Sequence, residues 1–433
     1  MPTSWNRLPR VTHARLIELQ DRNAGLPDTE SPLLAWGNGR SYGDVCLNDG
    51  GTLLLTQGMD RLITFDRNTG VLDCEAGIML GDILRWCLPQ GWMLPVVPGT
   101  QWITVGGAIA NDVHGKNHHV AGTFGRHVLE MELLRSDGER LLTSPTVNAE
   151  LFAATIGGLG LTGLITRVRL RMIPANNELM LTEGIPFGHL DAFWELNDRI
   201  GGEWPYTVSW IDCVARGRRL GRGVFLAGRH APPQPAGVRL PQWRDHPRSI
   251  PFDLPFSLLN RHSVRGFNAL YYRVARSSGR RLQHYQPYFF PLDGIRNWNR
   301  VYGRKGFYQY QCVLPHEHAR EGIRALLRRI ATSGQGSFLA VLKTFGDMPS
   351  PGLLSFPRPG VTLALDFSNH GSLTHRLFAD LDDMVSSAGG ALYPGKDARM
   401  SVTMFRRGFP QWERFATFVD PAFSSTFWRR MNP

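Results

Sequence analysis

Two glycine-rich stretches constrain this chain more than anything else in it: WGNGRSYGD at 36–44 and PVVPGTQWITVGGAIANDVHGKNHH at 95–119, running on into GTFG at 122–125. Glycine lets a backbone turn where other residues cannot and approach a ligand closely. Successive amide N–H groups in such turns make concavities that hold anions. Either stretch alone reads as a pair of structural turns. As a pair, each followed by aromatic or histidine residues, they read as two loops that wrap a pyrophosphate with backbone rather than with many cations.

Two other patterns are set aside. Gly158, Gly160 and Gly163 satisfy G-x-G-x-x-G, but the dinucleotide fingerprint needs a strand before it and a helix after it. The local sequence predicts the reverse order, with a short helix from Asn148 through Thr155 and a strand over 164–173. His114 and His118 stand four apart like the ligands of zinc helices, yet Gly115 and Lys116 occupy the intervening positions where a base and neutral surroundings are needed. No metal site is expected, and the five cysteines contain no C-x-x-C pair.

At 433 residues the chain exceeds the usual size of a single core, so two domains are expected. Strands are read at 52–65 and 71–77, and a helix from Leu80 ends at Pro89 and Gly91. A hairpin over 127–143 turns at Asp137-Gly138. Residues 164–173 alternate Val168, Leu170 and Met172 with Arg167, Arg169 and Arg171, the pattern of a strand with one buried face. Downstream, helices at 187–200 and 316–333 with strands at 306–314, 336–345 and 361–367 suggest a second α+β domain. No stretch is apolar enough to span a membrane and the first ten residues lack a signal-peptide core, which together with the cysteine pattern predicts a cytoplasmic protein.

The net charge of +11 is local. Residues 213–285 carry fourteen Arg, no Lys, and only Asp245 and Asp253 as acids, which amounts to +12. Seven Pro lie between 232 and 255. The segment reads as a long basic loop, either simply solvated or a lid that meets phosphate or an anionic membrane surface.

The pairing of GRSYGD with PGT, TVGGAIA, DVHGKNHH and GTFG resembles the FAD-binding domain of the vanillyl-alcohol-oxidase and para-cresol-methylhydroxylase (PCMH) superfamily. Within it the likeness is to the flavoprotein oxidase subunits of decaprenylphosphoryl-ribose 2-epimerases, carried also by GGLGLTG, WNRVYG, QYQ, LYPGKDAR and the terminal DP-x-F-x-S. The resemblance implies a two-domain α+β flavoprotein: a PCMH-type FAD domain over 1–178, an α+β substrate domain built on an antiparallel sheet over 179–390 with a basic lid at 213–285, and a segment over 391–433 that returns to the FAD domain.

It also implies a site. Gly37, Asn38, Gly39, Arg40, Ser41, Tyr42 and Gly43, with Pro98, Gly99, Thr100, Thr104, Val105, Gly106 and Gly107, would wrap the pyrophosphate. Ala110, Asn111, Asp112, His114, Gly115, Asn117, His118, Gly122 and Thr123 would lie nearby, with Gly163 and Ile165 at the adenosine. Covalent members carry a His where this chain has Arg40, so the flavin is expected to be dissociable. Lys396, with Tyr42, His114 and Tyr393, would sit at the reacting centre. Trp210, Phe289, Leu292, Arg300, Gln309, Gln311, Lys343, Phe345 and Thr362 would join Lys396 around the substrate. Phe289, Thr362 and Ala364 depart from the relatives' Tyr, Asn and Cys.

The implied reaction oxidises the 2-hydroxyl of a polyprenyl-phosphate-linked ribose to a keto sugar, in cell-wall polysaccharide synthesis. A separate NAD(P)H-dependent short-chain reductase would complete the epimerisation, and the basic segment would give peripheral membrane contact. An alditol or D-arabinono-1,4-lactone type oxidase acting on a free sugar is the alternative enzyme. A non-enzymatic anion- or nucleic-acid-binding protein rests on the basic segment alone, and no nucleic-acid partner is expected.

Overall fold

The computed structural model describes residues 2–233, 248–255, 257, 259–275 and 279–432. The N-terminal part opens with β1 (Arg15–Glu18), β2 (Leu33–Trp36) and β3 (Thr52–Leu55), a parallel sheet in the order β1-β3-β2. A five-stranded antiparallel sheet follows, in the order β4-β5-β8-β6-β7. Its strands are β4 (Leu62–Asp66), β5 (Val71–Glu75), β6 (Val128–Leu134), β7 (Arg140–Thr143) and β8 (Leu164–Arg171). In β8 the apolar residues are buried and Arg167, Arg169 and Arg171 are not, as their alternation predicts.

Helix α1 (Leu80–Cys87) buries Leu80, Ile83, Leu84 and Cys87, the face that spacing assigns to it, and Gly91 ends the following turn at φ +85°. Helix α2 (Val105–Ala110) starts at Thr104, whose Oγ1 accepts a bond from Gly107 N at 3.0 Å. Helix α3 (Ala149–Thr155) does begin after Asn148, but that side chain donates to Leu142 O at 2.9 Å and does not cap the helix. The reversed order around Gly158, Gly160 and Gly163 holds: α3 precedes them and β8 follows.

The rest of the chain builds one sheet of eight strands in which every pairing is antiparallel, in the order β12-β9-β11-β10-β14-β15-β13-β16. These are β9 (Leu179–Phe187), β10 (Tyr206–Ile211), β11 (Gly223–His230), β12 (Arg280–His284), β13 (Phe307–Leu314), β14 (Ala340–Phe345), β15 (Gly360–Ser368) and β16 (Ala391–Leu392). Helices α4 (Leu190–Ile200), α6 (His316–Ser333) and α7 (Ser372–Ser387) cover one face and share its core, in which Phe193, Leu327 and Phe378 are buried. The other face carries α5 (Arg261–Ala275) and looks toward the N-terminal sheets.

The expectation of one long loop over 213–285 is corrected. Strand β11, helix α5 and edge strand β12 all fall within it. Averaging charge over the window hides the apolar run Val224, Phe225, Leu226 and Ala227, which places β11 inside the sheet. Residues 234–247, with part of the Pro-rich run, lie outside the described residues, as do 256, 258 and 276–278.

The final segment turns back. Helix α8 (Val402–Gly408) packs beside β16, Leu33 forms a bridge with Phe423, and helix α9 (Thr426–Met431) lies against residues 44–46. Arg430 there pairs with Asp44 at 2.9 Å. Among the described residues no helix is long and apolar enough to cross a membrane.

Candidate active site

The first glycine loop leaves β2 and the second leads into α2, so the two meet where strand and helix ends converge. They interlock without room for side chains: a Cβ on Gly37 would collide with Thr104 Oγ1, and one on Gly43 would enter the Asp397 carbonyl. Gly39 adopts φ +56° with Thr3 O and the Trp36 ring close by, a conformation and a gap that suit only glycine. The C-terminal segment holds the first loop from the other side, through Tyr42 N donating to Gly395 O at 2.9 Å.

Between these loops and the open face of the large sheet lies a cavity of about 1160 Å³. From the first loop it takes Gly37 through Tyr42. From the second region it takes Pro98, Gly99, Thr100, Thr104, Gly106, Gly107, Ala110, Asn111, His114 and Gly115, with Gly163 and Ile165 from the start of β8. The sheet contributes Trp210, Gln309, Gln311, Lys343 and Thr362, joined by Leu292, Tyr393 and Lys396.

Ten expected residues stand behind this wall. Gly43 packs on Asp397, and Val105 is core. Asp112 is buried, accepting from Gly125 N at 2.9 Å and Ser355 Oγ at 2.5 Å. Asn117 Nδ2 donates to Pro95 O at 2.7 Å, and His118 Nδ1 accepts from Gly346 N at 3.2 Å. Gly122 and Thr123 form the turn after them. Phe289 is buried with its ring against Tyr206, Phe345 packs edge-on against His114, and Arg300 donates to Ile250 O and Pro251 O at 2.8 and 2.6 Å. None of these ten lines the cavity.

Strand alternation assembles the chemistry on one sheet face. Register pairs Lys343 with Thr362, Gln311 with Ala364 and Gln309 with Asp366. The Lys343 amine lies 2.7 Å from His114 Nδ1 and donates to Gly115 O at 2.5 Å, while His114 Nε2 lies 3.0 Å from the Gln311 amide. Burial and the neighbouring Lys343, His118 and Lys396 push the His114 pKa well down, so the ring is neutral. Burial, with Lys116 nearby, also lowers Lys343.

Lys396 sits in the turn Pro394–Lys396 with its amine 3.8 Å from the centre of the Tyr42 ring, a cation–π distance. Burial lowers its pKa, and the charge of Asp366 opposes that shift. Asp366 is itself pushed up by burial, with Gln309 Nε2 donating to it at 2.6 Å. Sequence reasoning missed Asp366, although it alternates with Thr362 and Ala364 and is the one carboxylate in β15. It also missed Asp293, which accepts from Gln101 N at 2.9 Å beside Arg40, and Lys116, whose amine donates to Phe289 O at 2.9 Å.

The residues present fit the dinucleotide that the glycine loops imply. Arg40 Nε and Asn111 Oδ1 belong to cavity-lining side chains, are buried, and have no hydrogen-bond partner among the described residues. Buried polar atoms are rarely left so, and a polar ligand in the cavity would satisfy them. The Arg40 guanidinium is fixed 4.2 Å over the Trp5 ring.

Comparison with known proteins agrees with this geometry. Residues 25–144 match the model of an FAD binding domain. The chain is 37% identical over 412 residues to decaprenylphosphoryl-beta-D-ribose oxidase of Mycolicibacterium smegmatis, covering 92% of this chain and 89% of that one. Mouse L-gulonolactone oxidase is 31% identical over 140 residues, about a third of each chain. D-arabinono-1,4-lactone oxidase of Eremothecium gossypii is 27% identical over 172 residues, 37% of this chain and 30% of that one.

Proposed function

Because the chain belongs to the family of FAD-dependent oxidoreductases that includes decaprenylphosphoryl-beta-D-ribose oxidase, we propose that it oxidises the 2-hydroxyl of a polyprenyl-phosphate-linked pentose, ribose or a close analogue, to the keto sugar. FAD-dependent oxidation of a sugar is the activity class. The observation that carries the finer reading is the placement of Lys396: a buried amine over Tyr42, in the same cavity as Gln309, Gln311 and Lys343, facing the glycine loops.

The chemistry that bound FAD supplies is hydride acceptance from carbon. The first and second glycine loops, with Arg40 and Asn111, would hold it. Alcohol oxidation also needs a base for the hydroxyl proton and a water-poor pocket. Lys396 is the base in this reading, since burial makes its neutral amine available below the usual lysine range. Neutral His114, with one ring nitrogen on Lys343 and the other on Gln311, orients those two side chains toward the sugar, and Tyr42 and Tyr393 exclude water around it. Trp210, Leu292, Gln309, Gln311 and Thr362 would border the pentose.

The flavin is held without a covalent bond, as Arg40 in the first loop suggests. The units are a cofactor domain over 1–178, a substrate domain over 179–390 and a returning segment over 391–433. A short-chain NAD(P)H-dependent reductase is the functional partner, returning hydride to the opposite face. Peripheral contact with an anionic membrane surface accompanies a lipid-linked substrate. The lactone oxidases are similar over only about a third of this chain, so they leave the substrate side undetermined.

The test is anaerobic flavin bleaching. Short- and long-chain polyprenyl-phosphate pentoses are expected to remove the visible absorbance of the oxidised flavin, and free alditols and aldonolactones to leave it. Bleaching by the free sugars alone would overturn the lipid-linked reading.

A further inference from the structure

The cavity has a part that neither the glycine loops nor the sugar-facing residues account for. At about 1160 Å³, it begins at the glycine loops, where the dinucleotide would sit, and continues across the large sheet past the sugar-facing residues. Its floor there is a cross-strand row. Trp210 pairs with Val341, Val208 pairs with Leu226, and Leu226 pairs with Gly184, all of them cavity-lining. From β15 to β9 the row crosses four strand steps, roughly 19 Å at the usual strand spacing.

The chemistry changes along this row. At the glycine-loop end stand Lys343, Lys396 and Gln311, and beyond Trp210 the floor is Val208, Leu226 and the bare backbone of Gly184. Val208, Leu226 and Val341 are each only half-buried, although both strand neighbours of each are buried. Their side chains therefore face the cavity and leave apolar area uncovered, which water solvates poorly. Helix α5 roofs the strip. It is anchored through Val264 and Asn268, with Asn268 Nδ2 donating to Asp212 Oδ1 at 3.0 Å. Phe267 and Tyr271 line the cavity from α5, and the Tyr271 ring lies 4.6 Å from that of Trp210. At the far end the rim turns polar again, with Arg281 and Gln283 on edge strand β12.

We propose that this strip, from Trp210 under α5 to Gly184, is a binding track for the apolar chain of the substrate's lipid carrier. The inference rests on the lipid-linked reading above and adds where the lipid goes. A pentose alone has no apolar surface with which to cover Val208 and Leu226. A chain leaving the sugar phosphate would cover both and emerge at the cationic rim of β12.

The test uses FAD-loaded protein and two probes, farnesyl phosphate and methyl phosphate, with binding measured by calorimetry. Farnesyl phosphate is expected to bind at least ten-fold more tightly. Leu226→Trp, which fills the strip, should remove that difference while keeping the flavin spectrum and the methyl phosphate affinity. Val208→Thr keeps shape and strand preference and should weaken farnesyl phosphate several-fold, which secures the test if Leu226→Trp fails to fold. Equal affinity of the two probes for the unaltered protein, or a loss in the variants that is the same for both, would overturn the track. If farnesyl phosphate binds as expected and no polyprenyl-phosphate pentose bleaches the flavin, the track stands and the oxidation reading falls.

Discussion

Lys396 is where the account is most exposed to a single substitution. Lys396→Ala is expected to retain FAD and to lose roughly 10²- to 10⁴-fold in kcat, the range for a general base. Near-normal turnover would remove it from the chemistry, and loss of flavin would make it structural. The pH profile adds a sign. The working form is the neutral amine, so kcat/KM should rise with pH, on a limb below the ordinary lysine range because burial lowers the pKa. Asp366 opposes that shift, so Asp366→Asn should move the limb to lower pH. A limb that stays put or moves up would show that Lys396 does not set it. Arg40 supports a second expectation: acid precipitation should leave the yellow colour in the supernatant, and colour retained by the pelleted polypeptide would mean a covalent flavin.

At the scale of elements, the legible parts were those whose signal is local. Helix α1, the 128–143 hairpin and β8 carry their own periodicity or turn, and the sequence reading places them within a few residues. The basic stretch misled because charge was counted over a window while β11 is set by an eight-residue apolar pattern. The family resemblance carried by QYQ brought out Gln309 and Gln311, but Asp366 joins the site through cross-strand register, which no single strand shows. The fold also divides the arginines. Arg222 pairs with Asp212 at 2.7 Å and lies 4.9 Å over the Tyr272 ring, while Arg216 Nε donates to Ala331 O at 2.9 Å. Arg222→Ser is therefore expected to destabilise by about 3 kcal/mol, because it strands a buried carboxylate, with a lowered thermal midpoint as the readout. Arg218→Ser and Arg219→Ser together should leave stability unchanged and reduce binding to anionic vesicles at low salt. For the loops, Gly37→Ala should drive Thr104 off its cap on α2 and lower FAD content on purification, and full flavin content would show that the two loops do not interlock.

For the whole molecule, acid is the informative stress. His114, His118, His119, His127, His230 and His284 all have pKa values lowered by burial, His118 to about 3. The unfolded chain takes up protons on these groups below about pH 6.5, while the folded one does not. Stability is then complete above that pH and is lost as pH falls. Five carboxylates raised by burial, Asp112 to about 6, Asp366 to about 7, and Asp44, Asp293 and Asp382, act in the opposite direction over their own windows. The six histidines outnumber them and take up their unfolded-state protons at higher pH than the carboxylates, so the thermal midpoint should fall between pH 7 and pH 5, and His118→Gln should flatten the slope; a midpoint indifferent to pH would contradict this. The cofactor loops were visible in the sequence because glycine spacing encodes them, and the two-domain plan because the chain is longer than a single core allows. The continuous cavity was not, since it is made jointly by both glycine loops, seven strands of the large sheet and the returning C-terminal segment. That jointly built cavity is the central claim, and anaerobic titration of the bound flavin tests it most directly. A polyprenyl-phosphate pentose should bleach the flavin in near-equimolar amount while D-arabinono-1,4-lactone leaves it oxidised; bleaching by the free lactone, with none by the lipid-linked sugar, would contradict the account.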